Sequence, residues 1–594
     1  MEFEQKAEEK KMSMSKNIAR LAVTAGLTAA LSFGGVMAPV TMAFAEGTTT
    51  SDNSITITQN KDNAATTFKA YQIFKADVAD PTEEGATDKI VSNVKWAEGV
   101  HDDAQNAIIA AIRNSEGYDT SKNMLPDQGV TPQNVADWLT ANITKTDKTT
   151  VVGKDDLLNK IAGIVKEKVT PTGEPFAAGS TFTATSTGYY LFLTDTDSIG
   201  TKDEYFNKKQ TGTSPIFAVV GGKAVSVMEK TGIPTVTKEI KDDKLNSEWA
   251  DKADSQAGQN VKYRLTGTVA SNIATFDNYY YQFRDMLSAG LQANRESVEV
   301  TIYKDKNDST GTVIPQADKK YTVEYNTQTD GRSLLTVTFG DLKAAGVELT
   351  PDSKVVVTYT AQLDSSKAVV GGEGNLNSVE LIYSNNPMSD GKGESVSDTV
   401  RDYTYSLQLV KEDFDVPNKK LAGVEFTIKA TGADELASGV EGKQFVQKDG
   451  SLGDSAYRFT TDSNGVISVK GLDAGTYTVE EVKTPSSYNT LPKFTFTIEA
   501  DGLGKKEGEL LEGASTPNTL KITGKTSGSD LVKIDGVQTD GTVTLTVKNK
   551  KGSGLPLTGL NGVTFTWIAG GAVLCIGVAH LIRSRKQAEE SEQE

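Results

Sequence analysis

The chain has almost none of the residues that disulfide frameworks and most metal or catalytic centres require. Its 594 residues include one cysteine, Cys575, and two histidines, His101 and His580. A disulfide within the chain is therefore excluded, and so is a zinc site built from several His or Cys ligands. A Ser-His-Asp triad would have to use His101, because His580 lies in a C-terminal apolar run. No glycine-rich phosphate-binding motif follows a strand pattern, so no nucleotide or other cofactor is expected, and no residue is assigned as a metal ligand.

The charge and length of the chain limit its partners and its domain count. The net charge of −17 argues against nucleic acid or an anionic membrane surface as a partner, since both attract basic proteins. A hydrophobic content of 37% and a charged content of 24% suit folded soluble domains. A chain of this length predicts about three to five domains.

The N-terminal segment has the order of a secretory signal. Lys16 and Arg20 precede an apolar stretch from Leu21 to Val40, which ends at the small-x-small sequence around Ala45. We expect residues 1–45 to be a signal peptide that is cleaved after Ala45. The rest of the chain would then be exported.

The C-terminal segment has the pattern of a membrane-spanning helix followed by a basic tail. Val563–Ile582 is nearly uncharged and long enough to cross a bilayer, and Arg583, Arg585 and Lys586 follow it. The positive-inside bias places these cations in the cytoplasm and everything upstream outside the cell. A precursor held in the membrane by this helix is therefore expected.

A pentapeptide lies just before that span. Its residues are Leu555, Pro556, Leu557, Thr558 and Gly559. With the apolar span and the basic tail, residues 553–594 resemble the LPXTG sorting signal of sortase substrates in Gram-positive bacteria. The resemblance implies that a sortase cuts between Thr558 and Gly559 and passes the threonine carbonyl to an amine. An ordinary single-span membrane protein is the alternative interpretation.

The exported region alternates apolar and polar residues between turn signals. Ser54–Thr58, Lys354–Tyr359 and Thr542–Val547 are examples, and the chain contains 54 glycines. This pattern predicts an all-β protein of tandem immunoglobulin-like β-sandwich domains. The expected domains are residues 46–231, 232–400 and 401–552. Three helical stretches break the pattern and place helical insertions in the first domain: Asp102–Glu116, Thr131–Asn142 and Lys154–Val169.

Two predicted domains begin with a strand that directs a lysine inward. Period-2 parity places Lys238 on the same face as Val236 and Ile240, and Lys411 on the same face as Leu407. An inward lysine is costly unless it is paired or loses its charge. The ordinary alternative is an edge lysine whose ammonium reaches solvent.

The same two domains end with an inward amide and contain an inward acid. Asn377 follows Lys238 by 139 residues and Asn549 follows Lys411 by 138 residues, each on a predicted last strand. Asp285 and Glu481 have inward parity between these positions, whereas Glu480 has the opposite parity. A hydrogen-bonded core amide and an ion-paired acid are the ordinary interpretations. The repetition of all three residues in the same order favours a common chemistry.

That chemistry is the formation of an isopeptide bond. Burial lowers the pKa of a lysine and raises that of a carboxyl group, so a neutral amine and a proton donor become accessible. The amine can then attack the side-chain amide and expel ammonia, with the acid moving the protons. The expected cross-links are Lys238–Asn377 and Lys411–Asn549, with Asp285 and Glu481 as the promoting acids. This would be a single-turnover reaction within the chain and not enzymatic activity.

The exported region resembles the major, or backbone, pilins of sortase-assembled Gram-positive pili. Tyr281–Leu291 and Asn377–Pro387 are similar to the isopeptide segments of the second pilin domain. Leu421–Phe426 and Gly475–Pro485 are similar to a collagen-adhesin B-type domain, and Phe68–Phe74 is typical of the first pilin domain. Ser486 and Ser487 depart from the glycine that the family has after the acid.

The resemblance also implies a lysine that accepts the next subunit. The family's pilin-motif lysine follows the last strand of the first domain, which here is Ala224–Lys230. Lys230 shares the parity of Ser226, so we expect it to face outward with an ordinary pKa. Glu229 stands where the family has proline, and Lys223 is a rival acceptor.

The sequence therefore predicts the shaft subunit of a covalent surface pilus, or fimbria, that supports adhesion. The implied partners are sortase, neighbouring copies of the chain, minor pilins and peptidoglycan, with host surface ligands as a further class. A monomeric or minor wall-anchored adhesin built from the same modules is the first alternative. A surface hydrolase is the second, but no carboxylate pair or histidine site supports it.

Overall fold

The structure is a computed structural model, and it describes residues 53–552 with several gaps. The residues left out within that span are 83–88, 117, 119–123, 144–150, 200–209, 243–246, 432–443, 510–517, 528–529 and 535–539. The predicted signal peptide, sorting signal and apolar run 563–582 lie outside the described residues.

No helix among the described residues has the length and apolar character needed to cross a membrane.

The first domain combines two sheets with a layer of helices. Among the described residues, one sheet has the order β5-β1-β8 and the other the order β3-β2-β6-β7, with β4 paired to β2. The strands are β1 (Ser54–Thr58), β2 (Thr67–Ala79), β3 (Ile90–Trp96), β4 (Phe176–Ala177), β5 (Thr181–Thr183), β6 (Gly188–Thr194), β7 (Ile216–Val220) and β8 (Val225–Met228). The helices are α1 (Asp102–Arg113), α2 (Pro132–Asn142), α3 (Leu157–Lys168) and α4 (Thr196–Ile199).

The larger sheet of this domain is covered on both faces. Phe192 on β6 packs toward the smaller sheet, whereas Leu191 and Leu193 pack toward the helices. A strand that is buried on both faces has a continuous run of apolar residues and not an alternation of apolar and polar ones. Strand β6 has such a run. The three predicted helical stretches are confirmed, and Thr131 caps α2 by accepting a hydrogen bond from the Asn134 backbone nitrogen.

The second domain is a sandwich of two sheets. Within the described residues, the order β10-β9-β12-β18-β14-β15 forms its six-stranded sheet, and β11-β21-β19-β13-β17-β16, with β20 on β19, forms its seven-stranded sheet. The strands are β9 (Val236–Lys241), β10 (Trp249–Ala250), β11 (Lys252–Asp254), β12 (Val261–Thr268), β13 (Tyr281–Leu287), β14 (Leu291–Tyr303), β15 (Thr312–Ile314), β16 (Thr322–Thr327), β17 (Ser333–Phe339), β18 (Lys354–Leu363), β19 (Asn375–Ser384), β20 (Lys392–Glu394) and β21 (Asp398–Tyr403). Short 3₁₀ turns occur at Ile273–Thr275, Gln316–Asp318 and Leu342–Ala345.

The third domain is also a sandwich. Its described sheets have the orders β27-β22-β32-β31 and β25-β24-β23-β28-β29-β30, with β26 on β23. The strands are β22 (Tyr405–Asp413), β23 (Glu425–Ala430), β24 (Phe445–Val446), β25 (Leu452–Gly453), β26 (Phe459–Thr460), β27 (Val466–Leu472), β28 (Gly475–Lys483), β29 (Phe494–Asp501), β30 (Lys521–Ser527), β31 (Val532–Ile534) and β32 (Thr542–Asn549). The first strand, β22, and the last, β32, are adjacent and parallel, with Lys411 opposite Val547.

The sandwiches follow one another with polar contacts at each junction. Between the first two, the hydroxyls of Ser214 and Thr275 are 2.6 Å apart. Between the second and third, Arg401 on β21 donates to both carboxylate oxygens of Glu507, with Nε–Oε2 and Nη2–Oε1 distances of 2.8 and 2.9 Å. Strand β21 continues to Tyr403, past the predicted boundary at residue 400, because it pairs with β19 in the second domain. The predicted all-β architecture of tandem sandwiches with a helical first domain is confirmed.

Candidate isopeptide sites

The core of the second domain contains a lysine, an aspartate and an asparagine, all buried. Lys238 is 1% exposed, and Asp285 and Asn377 are 0% exposed. Lys238 comes from β9 in the six-stranded sheet, whereas Asp285 and Asn377 come from the adjacent strands β13 and β19 of the facing sheet. The expectation that all three point inward is confirmed.

Lys238 and Asp285 form an ion pair inside this core. The lysine Nζ lies 2.6 and 2.7 Å from the two carboxylate oxygens of Asp285. It also lies 5.3 and 5.5 Å from the ring centroids of Tyr263 and Tyr359, which stack on each other. Burial lowers the pKa of Lys238, while the charge of Asp285 opposes that shift. The amine is therefore easier to deprotonate than a lysine in water.

Asn377 joins this pair through a tyrosine hydroxyl. Its Nδ2 donates to the hydroxyl oxygen of Tyr359 at 2.7 Å, and that hydroxyl donates to Asp285 Oδ2 at 2.6 Å. Its Oδ1 is buried and accepts no hydrogen bond from the described residues. The sequence-based site did not include Tyr359. The sequence feature that could have identified Tyr359 is its inward parity, which it shares with Val355 and Val357 on β18.

The third domain brings together Lys411, Glu481 and Asn549. Lys411 is 0%, Glu481 5% and Asn549 1% exposed, so their predicted inward positions are confirmed. Lys411 Nζ donates to Asn549 Oδ1 and lies 3.5 Å from Glu481 Oε2. The amide Nδ2 of Asn549 donates to Glu481 Oε1 at 2.8 Å. Glu481 therefore contacts the side-chain amide of Asn549 directly. Glu480, which has the opposite parity, is only half-buried.

Backbone groups orient the side chains of this second cluster. Asn549 Nδ2 also donates to the carbonyl oxygen of Asn489 at 3.1 Å, and the Leu491 nitrogen donates to Glu481 Oε2 at 3.3 Å. Burial lowers the pKa of Lys411 to about 8, with the Glu481 carboxylate opposing the shift. A neutral amine at Lys411 is thus accessible close to neutral pH.

Lys230 does not have the surroundings that its parity predicted. It is half-buried, and burial lowers its pKa, so the expected exposed side chain with an ordinary pKa is wrong. Strand β8 ends at Met228, so the parity of Ser226 does not extend to Lys230. The backbone nitrogen of Lys230 instead donates a hydrogen bond to Thr213 Oγ1, in a neighbouring segment, at 2.8 Å.

The residues around Lys230 explain one departure from the pilin motif. Glu229 is buried and accepts from Thr66 Oγ1 at 2.6 Å and from the Asn60 nitrogen at 2.9 Å. It therefore fixes the end of the first domain where the family has proline. The rival acceptor Lys223 is exposed, in the turn between β7 and β8.

The described residues contain no group of three or more His, Cys, Asp or Glu that could hold a metal ion.

Comparison with known proteins finds a family model that matches part of the third domain. Residues 405–509 match the family model described as the SpaA prealbumin-like fold domain. This match includes Lys411 and Glu481 and ends before Asn549. The trypsin-resistant surface T6 protein of Streptococcus pyogenes serotype M6 is 25% identical over 321 residues, which cover 51% of this chain and 52% of that protein. The chain thus matches about half the length of this curated relative.

Two solved structures of pilins are similar to the chain. The T6 backbone pilin of serotype M6 Streptococcus pyogenes is 19% identical, with 84% of this chain and 99% of that chain covered and a TM-score of 0.46. The full-length major pilin SpaD from Corynebacterium diphtheriae is 15% identical, with 84% and 97% covered and a TM-score of 0.42. One of these structures is described as a backbone pilin and the other as a major pilin. Residues 405–509 are therefore similar to the SpaA prealbumin-like domain, and the predicted resemblance of the chain to backbone pilins is confirmed.

Proposed function

We propose that this protein is the repeating shaft subunit of a covalent surface pilus. The observation that carries the proposal is the pair of buried lysine–acid–asparagine clusters, one in each of the second and third domains. The subunit would be exported, cut by sortase between Thr558 and Gly559, and joined through Thr558 to Lys230 of a neighbour. Minor pilins and peptidoglycan would complete the assembly at its ends.

Each buried cluster would form one isopeptide bond. Proton transfer from lysine to the acid gives a neutral amine beside a carboxylic acid, and burial favours this neutral pair over two charges. The amine then attacks the side-chain carbonyl carbon of the asparagine, and ammonia leaves. In the third domain Lys411 Nζ already contacts the carbonyl group of Asn549, which supports this route.

The half-burial of Lys230 suits a lysine that accepts an acyl group. A lowered pKa increases the fraction of neutral amine at neutral pH, and the neutral amine is the nucleophile. Exposure alone would leave almost all of the amine protonated, as expected for a lysine of ordinary pKa.

Polymerisation is tested on blots of cell-wall extracts. The wild-type chain is expected to give a ladder of high-mass species, and Lys230→Arg is expected to reduce it to a single band. Arginine keeps the long cationic side chain but cannot serve as the acceptor amine. Lys223→Arg, at the exposed rival position, should leave the ladder unchanged.

One outcome would contradict the shaft assignment, and another would contradict the assignment of Lys230 as the acceptor. A single band from wild type would favour a monomeric adhesin, and a ladder that Lys223→Arg abolishes would move the acceptor to that residue.

The rate of bond formation in the third domain is expected to fall as the pH rises through about 8. The ion pair and the neutral pair of Lys411 and Glu481 differ only by an internal proton transfer, so the rate should vary little just below that pH. Above the lowered pKa of Lys411, about 8, the pair loses its shared proton and Glu481 has none to deliver. Refolding unreacted chain at several pH values, with the intact mass followed over time, measures this. A rate that keeps rising above pH 8 would contradict it.

A further inference from the structure

The acid and the amide are connected differently in the two clusters. In the third domain Glu481 accepts directly from the amide nitrogen of Asn549, at 2.8 Å. In the second domain the amide nitrogen of Asn377 donates to Tyr359, and the Tyr359 hydroxyl contacts Asp285. The tyrosine oxygen also lies 3.3 Å from Lys238 Nζ. One hydroxyl is thus within hydrogen-bonding distance of the amine, the acid and the amide.

The strand register explains why a bridge is needed. Leu287 is opposite Asn377 and Asp285 is opposite Val379, so Asp285 and Asn377 are diagonal neighbours on β13 and β19. Diagonal neighbours lie about 7–8 Å apart, and the aspartate side chain is one methylene shorter than glutamate. Tyr359 reaches into this space from β18 in the facing sheet. Its ring is held by stacking on Tyr263, with centroids 5.2 Å apart.

We propose that Tyr359 is a further catalytic residue of the second domain, which relays a proton from Asp285 to the leaving nitrogen of Asn377. This inference rests on the proposed isopeptide chemistry and adds a residue to it. The third domain has no need of such a relay, because Glu481 contacts the corresponding nitrogen itself.

The reaction balances with these groups alone. Lys238 first gives one proton to Asp285, and the neutral amine attacks Cγ of Asn377, which forms the new C–N bond. Asp285 then passes its proton to the Tyr359 oxygen as the Tyr359 hydroxyl proton moves to Nδ2. The Asp285 carboxylate takes one proton from the Lys238 nitrogen, the Cγ–Nδ2 bond breaks, and ammonia leaves. Asp285 and Tyr359 end as they were before the attack.

The charge state of the hydroxyl suits this role. Burial and the nearby charge of Asp285 raise the pKa of Tyr359 well above its usual value, so the hydroxyl keeps its proton. An amide nitrogen is a poor proton acceptor while its lone pair is delocalised. It becomes a good one in the tetrahedral intermediate, where the hydroxyl is already 2.7 Å away.

The relay is tested by following both bonds in one full-length chain. Tyr359→Phe removes the hydroxyl and keeps the ring, so formation of Lys238–Asn377 should slow by about a hundredfold. The Lys411–Asn549 bond of the same molecules should form at the wild-type rate. Cross-linked peptides, quantified by mass spectrometry at intervals after synthesis, give both rates. Tyr281→Phe is the matched control, because that buried hydroxyl donates to the Thr268 carbonyl and not to the cluster.

A rescue variant separates catalysis from folding. Glutamate at position 285 should contact the amide directly, so Asp285→Glu/Tyr359→Phe should form the bond faster than Tyr359→Phe alone. Near-ultraviolet circular dichroism verifies that each variant is folded. Wild-type kinetics in Tyr359→Phe, or a folded double variant that is no faster than Tyr359→Phe, would overturn the relay. Absence of the Lys238–Asn377 bond from wild type would instead refute the proposed function at this site.

Discussion

Glu481→Gln is expected to leave the third domain without its cross-link. Glutamine keeps the size of the side chain but cannot take the Lys411 proton or return one to Asn549, so the reaction should slow by roughly 10²–10⁴-fold. After correction for the substitution itself, the intact mass of the variant should exceed that of wild type by the mass of one ammonia. The missing bond would have closed a loop of 138 residues. In the chain-entropy model its loss lowers the free energy of unfolding by about 5 kcal/mol.

Glu480→Gln is the matched control for this variant. Glu480 is the preceding residue on the same strand, and its carboxylate pairs with Lys493 at 2.9 Å on the outer face. The Glu480→Gln chain should lose as much ammonia as wild type, and the stability of its third domain should be nearly unchanged. Hydrogen exchange of β22 and β32 in increasing urea compares the stabilities. A Glu481→Gln chain that loses the same ammonia as wild type would show that Glu481 does not promote the reaction.

Asp285→Ala is expected to destabilise the second domain more than Asn377→Ala does. Both variants lack the cross-link, so both lose the stability of the closed loop. Asn377→Ala keeps the buried ion pair, whereas Asp285→Ala leaves the ammonium of Lys238, 1% exposed, without its carboxylate. Removing one partner of a buried pair costs about 3–5 kcal/mol. The fluorescence of Trp249, on β10 of this domain, reports the unfolding midpoint in urea.

Removing Lys238 together with Asp285 tests whether the unpaired ammonium causes the larger loss of stability. Asp285→Ala/Lys238→Met has neither ion and should be more stable than Asp285→Ala alone. Equal midpoints for Asp285→Ala and Asn377→Ala would mean that the ion pair contributes nothing beyond the bond.

Parity along single strands predicted much of each cluster from the sequence. Lys238 and Asp285 each lie between apolar residues of the same parity, and Asn377 shares its parity with the apolar residues that follow it on β19. A strand with one face in a core buries that whole set. The sequence could not say which strands face each other. Tyr359 meets Asn377 because β18 and β19 lie in opposite sheets, a long-range arrangement that no local pattern encodes.

Lys230 shows the limit of the same reasoning. Parity holds only while the strand continues, and β8 ends two residues before Lys230. The segment that pairs with the backbone there contains Thr213 and Ser214, which lie well before β8 in the chain. Burial at the end of a strand therefore depends on loop positions that alternation does not determine.

The parallel pairing of β22 with β32 has a consequence for a chain under tension. Once Lys411 and Asn549 are joined, a pull that enters at Tyr405 runs along β22 to Lys411, crosses the new bond and leaves through Lys550. The intervening chain, closed into a loop of 138 residues, lies outside that path and is not stretched. Without the bond, unfolding would release about 450–500 Å of extended chain at 3.3–3.6 Å per residue. With it, the third domain would transmit the pull at nearly constant length.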